Sequence, residues 1–293
     1  MKLGVAGIGK MGAAIAARLI EVGHDVAVWN RTPEKARAVE GAKIAANPAE
    51  LAENSEAVIT ILTDAAALNA VYNGRLGLLH GKVAKKLLID MSTVLPATEI
   101  ALANAVRAKD AALVECPVGG STGPARQGKL IGLMGAELAD AARARPILEQ
   151  LCRRLEHAGP VGSGSVLKFT INLPLMVYWQ ALGEALAMAR AVAIGPERLM
   201  DLLSDTSGAA NVLKVRAPGI ASMLKGGSAG AVTFDIDSAI KDMQSMLAEA
   251  KSRGIELPLV ERTLGCYQET KQHRSGNAEI STVSVYWAGR DRQ

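Results

Sequence analysis

A chain of 293 residues, 49% hydrophobic and 21% charged, can bury a large core and is too apolar for a disordered protein. Its net charge of +4 comes from scattered cations, the longest runs being the pairs Lys85–Lys86 and Arg153–Arg154, so it lacks the basic stripe of a nucleic-acid binder. Its three cysteines, Cys116, Cys152 and Cys266, lie far apart with no CxxC or histidine spacing, which excludes a disulfide framework and a metal site and fits a reducing, cytoplasmic setting.

In chain order, Leu3-Gly4-Val5-Ala6 predicts a strand that begins almost at once, which leaves no room for a signal peptide. Helical spacing follows from Met11 to Val22, with Ile15, Leu19 and Ile20 on one face and Gly23 as the stop. Asp25 to Trp29, Ala57 to Leu62, Lys86 to Asp90, Ala112 to Val118 and Leu130 to Met134 are further strand-like runs. Strands separated by helices predict βαβ units, hence a doubly wound α/β Rossmann domain with a mostly parallel sheet over residues 1–161. The punctuation Gly159-Pro160-Val161-Gly162-Ser163-Gly164 ends it. Residues 162–293 read as an all-α domain opened by one long helix from about Val166 to Val192, kinked at Pro174. Further helices are expected over Leu199–Ser204, Val212–Leu224 and Ser238–Arg253. Lys168, Asn172, Gln180, Glu184 and Arg190 interrupt the longest apolar stretch, so it is expected to be a buried helix and not a membrane span.

Gly7-Ile8-Gly9-Lys10-Met11-Gly12 is a GxGxxG motif. Such a motif alone is a common glycine turn, but here it follows a strand, opens a helix and starts a βαβ unit, as a dinucleotide site requires. Gly7 permits the tight turn, Gly9 admits a pyrophosphate and Gly12 lets helix approach strand; the helix N-terminus offers free N–H groups and positive dipole. After the second strand comes Asn30-Arg31-Thr32, with no acidic residue for a ribose hydroxyl. Arg31 is either a surface arginine or the partner of a 2′-phosphate, with Asn30 and Thr32 donating hydrogen bonds; the second alternative selects NADPH or NADP+ over NADH.

Three more segments bear on the chemistry. Asp90-Met91-Ser92-Thr93 ends a central strand, where ligands of open α/β sheets lie, so Ser92 and Thr93 either touch the nicotinamide side or cap the helix near Pro96. Thr63, just past the Ala57–Leu62 run, is grouped with Thr93 as a cofactor contact. Glu115-Cys-Pro-Val-Gly119-Gly120-Ser121 leads into a glycine-dense loop that is either a structural connection or an anion nest for a carboxylate. Lys168 and Asn172, four residues apart, share a helix face; the lysine is either a snorkelling surface group or an acid/base.

Taken together, these motifs resemble the β-hydroxyacid dehydrogenase family, which includes 3-hydroxyisobutyrate dehydrogenases and the tartronate, glyoxylate and succinic semialdehyde reductases. The resemblance covers nearly the whole chain. It implies that Lys168 is catalytic with Asn172 as its partner, that Gly119, Gly120 and Ser121 bind substrate, and that Lys241 of the Lys241-Asp242 pair approaches the cofactor. Many members carry serine directly after Pro-Val, where this chain has Gly119 and brings the serine at Ser121, so a simple 3-hydroxyisobutyrate assignment does not follow. The implied substrate is a small carboxylated carbonyl, a semialdehyde or keto acid reduced by hydride transfer with Lys168 as proton donor. A homodimer or homotetramer is expected. Three alternatives remain: an NADPH-dependent imine reductase, which usually has aspartate or tyrosine at the Lys168 position; a non-catalytic cofactor-binding scaffold; and a 6-phosphogluconate-type decarboxylating enzyme, which the short helical half disfavours.

Overall fold

The computed structural model describes residues Met1–Arg290, which fall into two compact units that part at Lys168/Phe169. The first unit contains β1 (Lys2–Ala6), α1 (Lys10–Glu21), β2 (Asp25–Trp29), α2 (Pro33–Arg37), β3 (Lys43–Ile44), α3 (Pro48–Glu53), β4 (Ala57–Thr60), α4 (Ala65–Asn73), β5 (Leu87–Asp90), α5 (Pro96–Arg107), β6 (Ala112–Glu115), β7 (Val118–Gly119), α6 (Thr122–Arg126), β8 (Leu130–Gly135), α7 (Leu138–Leu148) and β9 (Cys152–Gly159). The unit boundary falls inside the following helix, α8 (Ser163–Ala189).

The sheet runs β3-β2-β1-β4-β5-β6-β8-β7, with β9 beside β8. Its first six strands are parallel, in the order of a dinucleotide-binding fold that reverses beside β1. Neighbouring residues of each strand feed opposite faces, as a period of two dictates. Val5, Ile59, Ile89 and Val114 enter one core with Ile15 and Leu19 of α1. Ala6, Val58, Leu88 and Leu113 enter the other with Leu68 and Tyr72 of α4. Burial of β4 and β5 on both faces explains why they read as continuous apolar runs.

Several expectations need adjustment. The run Ala112–Val118 is two strands: the chain leaves β6 after Glu115 and re-forms as β7, which lies antiparallel to β8. The strands β3 and β9 fall outside the expected runs. The former spans only two residues, and the latter, Cys-Arg-Arg-Leu-Glu-His-Ala-Gly, is charged and half-exposed, so neither carries a clear hydrophobic pattern.

The second unit, from Phe169 onward, holds the rest of α8 with α9 (Pro196–Ser204), α10 (Asn211–Leu224), α11 (Ile236–Ser252), α12 (Pro258–His273) and α13 (Thr282–Gly289). Pro174 lies inside α8 without ending it. Trp179 and Tyr267 are buried, and Tyr267 Oη donates to Met176 O at 2.9 Å, fastening α12 to α8. Gly183 lets α13 close on α8, since a Cβ there would meet Ser284 at 3.0 Å. Helices α12 and α13 are additions to those expected; α12 mixes charge into most of its turns. Among the described residues no helix is long and apolar enough to cross a membrane.

Candidate active site

The turn from β1 into α1 is built around three glycines with different duties. Gly7 adopts φ +97°, a conformation that side chains disfavour, and donates its N–H to Trp29 O at 3.0 Å. A Cβ on Gly12 would collide with the carbonyl of Gly7, so that glycine is required for helix to meet turn. A Cβ on Gly9 would meet nothing within 4 Å, so the protein's own packing does not demand glycine there. Gly9 is the N-cap of α1; no side chain caps the helix and no acidic residue lies in its first turn. An uncapped helix start with exposed Gly9 and Lys10 and half-buried Met11 is a fitting seat for a pyrophosphate.

Asn30 braces that turn. Its Oδ1 accepts from Ile8 N at 2.9 Å and its Nδ2 donates to Thr32 O at 3.0 Å. Both ends are therefore engaged with protein, which differs from the free donor expected of it, and the buried Ile8 gives its N–H to Asn30. Arg31 and Thr32 are exposed at the end of β2, and Arg31 has no hydrogen bond or ion pair among the described residues.

The ends of β4 and β5 are locked together by Asp90. Its carboxylate accepts from the Thr60 hydroxyl, from Ser92 N at 2.9 Å and from Ser92 Oγ at 3.2 Å, while Ser92 Oγ accepts from Leu62 N at 2.9 Å. Burial raises the Asp90 carboxyl above its ordinary value against the hydrogen bonds from Thr60 and Ser92. Ser92 is thus neither a helix cap nor a surface donor. It is buried and holds the two turns that present exposed Thr63 and half-buried Thr93.

The glycine loop and the lysine meet within the first unit. Lys168 Nζ donates to Val118 O at 2.8 Å, at the start of Val118-Gly119-Gly120-Ser121. That bond, with a half-buried side chain, sets Lys168 apart from a snorkelling surface lysine. Gly120 has φ +120°, and Ser121, the N-cap residue of α6, makes no side-chain cap bond. Glu115, three residues before Val118, is buried; its Oε1 accepts from Gly162 N at 2.8 Å and Gly164 N at 2.6 Å, and its Oε2 from Ser165 Oγ at 3.0 Å. Glu115 opens the glycine-loop segment, but the sequence assigns it no role, although an acid in an apolar strand has to find donors.

In the helical unit, Asn172 Nδ2 donates to Asp242 Oδ2 at 3.2 Å, and Lys241 Nζ lies 3.0 Å from Asp242 Oδ1. Asp242, 2% exposed, therefore joins two predicted site residues that are far apart in sequence. Sequence alone hides this role, because the Lys-Asp pair reads as a solvated helix face.

Residues 2–159 match the family described as the NAD binding domain of 6-phosphogluconate dehydrogenase. Residues 162–286 match the one described as NAD-binding of NADP-dependent 3-hydroxyisobutyrate dehydrogenase. The chain is 31% identical over 291 residues to a 3-hydroxyisobutyrate dehydrogenase of Pseudomonas aeruginosa, covering 97% of this chain and 98% of that protein. It is 29% identical over 285 residues to glyoxylate/succinic semialdehyde reductase 1 of Arabidopsis thaliana, covering 97% of each. A solved structure of 3-hydroxyisobutyrate dehydrogenase from Salmonella typhimurium shares the fold with a TM-score of 0.87 at 22% identity, over 97% of this chain and 99% of that one. The chain belongs to the 3-hydroxyisobutyrate dehydrogenase family and is an NAD(P)-dependent oxidoreductase of CH–OH groups.

Proposed function

We propose that this protein is an NADPH-dependent reductase that interconverts a small semialdehyde or keto acid with its hydroxy acid. The observation that carries the proposal is the bond from Lys168 Nζ to Val118 O, which puts an ammonium against a glycine loop suited to a carboxylate. The cofactor fits the residues present: Gly7, Ile8, Gly9, Lys10, Met11 and Gly12 form the pyrophosphate turn, Arg31 and Thr32 await a 2′-phosphate, and Thr63 and Thr93 stand on neighbouring strand ends. We assign Lys241 to the cofactor as well. A bound nicotinamide would supply the hydride.

The remaining work falls to the chain. Gly119, Gly120 and Ser121 hold the substrate carboxylate through N–H groups and a hydroxyl. As an ammonium, Lys168 donates a proton to the carbonyl oxygen; in the oxidative direction its amine accepts the hydroxyl proton. Positioned proton transfer of this kind accelerates a reaction typically by about 10²–10⁴-fold. Asn172, oriented by Asp242, steadies the reacting groups.

The deciding experiment is an NADPH-oxidation screen over glyoxylate and the succinic, tartronic and methylmalonic semialdehydes, with cyclic imines alongside. Turnover confined to the imines would defeat the carbonyl assignment. Lys168→Ala is expected to lower kcat by about 10²–10⁴-fold with NADPH affinity kept; a variant with more than half of wild-type turnover would refute the lysine's role. Arg31→Ala is expected to weaken NADPH selectively, by about tenfold, as loss of a charge-assisted phosphate contact should. A wild type that prefers NADH would overturn the 2′-phosphate assignment.

We also propose a dimer or a tetramer of dimers. Met188 is 82% exposed and Val192 50%, so the far end of the long helix and the turn after it offer apolar surface. Light scattering at micromolar concentration would contradict this by returning a monomer mass.

A further inference from the structure

We propose that Glu115 is a positioning residue for Lys168: its carboxylate anchors the first turn of α8, the helix that carries Lys168, and so holds the ammonium on the Val118 carbonyl. The proposal rests on the assignment of Lys168 as the proton donor.

The segment from Glu115 to Val118 grips α8 at two levels. At the start of the helix, Glu115 Oε1 accepts from Gly162 N at 2.8 Å, Gly164 N at 2.6 Å and Ser165 N at 3.4 Å, and Oε2 accepts from Ser165 Oγ at 3.0 Å. One turn later, four residues and about 6 Å along the axis, Lys168 Nζ donates to Val118 O at 2.8 Å. The carboxylate's seat is cut to size by glycine. A Cβ on Gly135 would strike the Glu115 carboxyl, and one on Gly164 would come within 3.0 Å of Glu115 Oε1. An anion at a helix N-terminus is favourable, and a carbonyl held against the ammonium favours its charged form.

The groups around Glu115 make its charge responsive to pH. Asp90 on β5 is its register partner across the sheet, Glu99 on α5 feels the charge of both, Cys116 follows it in the chain, and Lys168 lies on α8. On β9, a His157 ring nitrogen is bonded to Ala136 O at 2.8 Å. Burial, opposed by the bonds from Ser165, Gly164 and Gly162, raises the Glu115 carboxyl to about 7. Near neutral pH the group therefore passes between a charged clamp and a neutral one of the same shape. Glu115→Gln copies the neutral form, since the amide oxygen can still accept from the helix amides.

The test compares pH profiles of kcat and KM for NADPH-dependent reduction in wild type, Glu115→Gln, Lys168→Ala and the double variant, using the full chain. In parallel, competitive acetylation of Lys168 across pH, read by mass spectrometry, follows the lysine without substrate. In Glu115→Gln, kcat above pH 7 should fall by about tenfold with KM within about twofold. The acid limb near neutrality should vanish, and the Lys168 acetylation midpoint should move down by about half a pH unit or more. In the Lys168→Ala background, Glu115→Gln should change kcat less than about twofold. If Glu115→Gln does not fold, Ser165→Ala leaves the carboxyl in place, removes one bond that lowers its pKa, and should move the acid limb to higher pH. An unmoved acetylation midpoint, or an equal loss of kcat in both backgrounds, would overturn the proposal. Should Lys168→Ala stay active, the lysine's assignment falls; should it collapse while Glu115→Gln matches wild type, only the role of Glu115 falls.

Discussion

The two units bury their acids in opposite ways. In the α/β unit, Asp90 and Glu115 are held by backbone amides and hydroxyls, with no cation among their hydrogen-bonding partners. Glu99 is buried beside them, and burial with the charges of Asp90 and Glu115 lifts its carboxyl well above the ordinary value. In the helical unit, buried Asp242 and Glu279 each have a cation. Asp242 lies 3.0 Å from Lys241, and Glu279 lies 3.2 Å from Arg216 while accepting from Thr233 N at 2.8 Å. The contrast follows from topology. Asp90 sits where parallel strands end together and meets turn amides and hydroxyls, and Glu115 meets the N–H groups that the start of α8 leaves free, whereas helix interiors spend their amides internally and leave side chains to neutralise charge.

Three measurements can break or sharpen that contrast. The largest effect is expected from Arg216→Ala, which strands Glu279, a residue 1% exposed, without its cation. Removing one partner of a buried pair costs about 3–5 kcal/mol, to be read by urea unfolding. A loss below about 1 kcal/mol would mean that the Thr233 amide suffices and that the two units do not differ. Next comes the pH dependence of stability. The Glu115 carboxyl rises from 4.5 to about 7 on folding, so its contribution to stability is present below 4.5 and is lost as pH rises through 7. A shift of that size corresponds to on the order of 3 kcal/mol. Glu115→Gln should flatten the fall in unfolding free energy between pH 5 and 8, and an unchanged slope would show that the carboxyl is not what titrates. Asp90 and Glu99, also raised, leave a residual slope of the same sign. The smallest expected effect is that of Gly135→Ala, whose Cβ intrudes on the Glu115 carboxyl. Overpacking of this kind costs about 1–3 kcal/mol, visible as a lowered melting temperature. A neutral result would mean that the glycine does not shape the acid's seat.

Much of the site was legible because its parts are local. The GxGxxG turn, the Asn30-Arg31-Thr32 end of β2 and the spacing of Lys168 and Asn172 each lie within one strand–turn–helix segment or one helix turn. Partnership was harder to read. That Asn30 spends its side chain on Ile8 and Thr32, 22 residues from the former, depends on β1 pairing with β2. That Ser92 holds Leu62 N depends on β4 lying beside β5. The misses in the fold have a related cause. The exposed strand β9 and the charged helix α12 take their places from neighbouring elements and not from a hydrophobic period of their own.

By itself the sequence determined the class of protein, a doubly wound dinucleotide fold followed by helices, because glycine placement and apolar period act on the chain within a few residues. It also determined which lysine stands at the head of the long helix. Only the tertiary structure decided what that lysine meets. Val118 O and the Glu115 carboxylate come to α8 from some 50 residues earlier in the chain, brought there by the break between β6 and β7. A buried acid announces that it needs donors, but which donors it finds is a matter of three-dimensional packing.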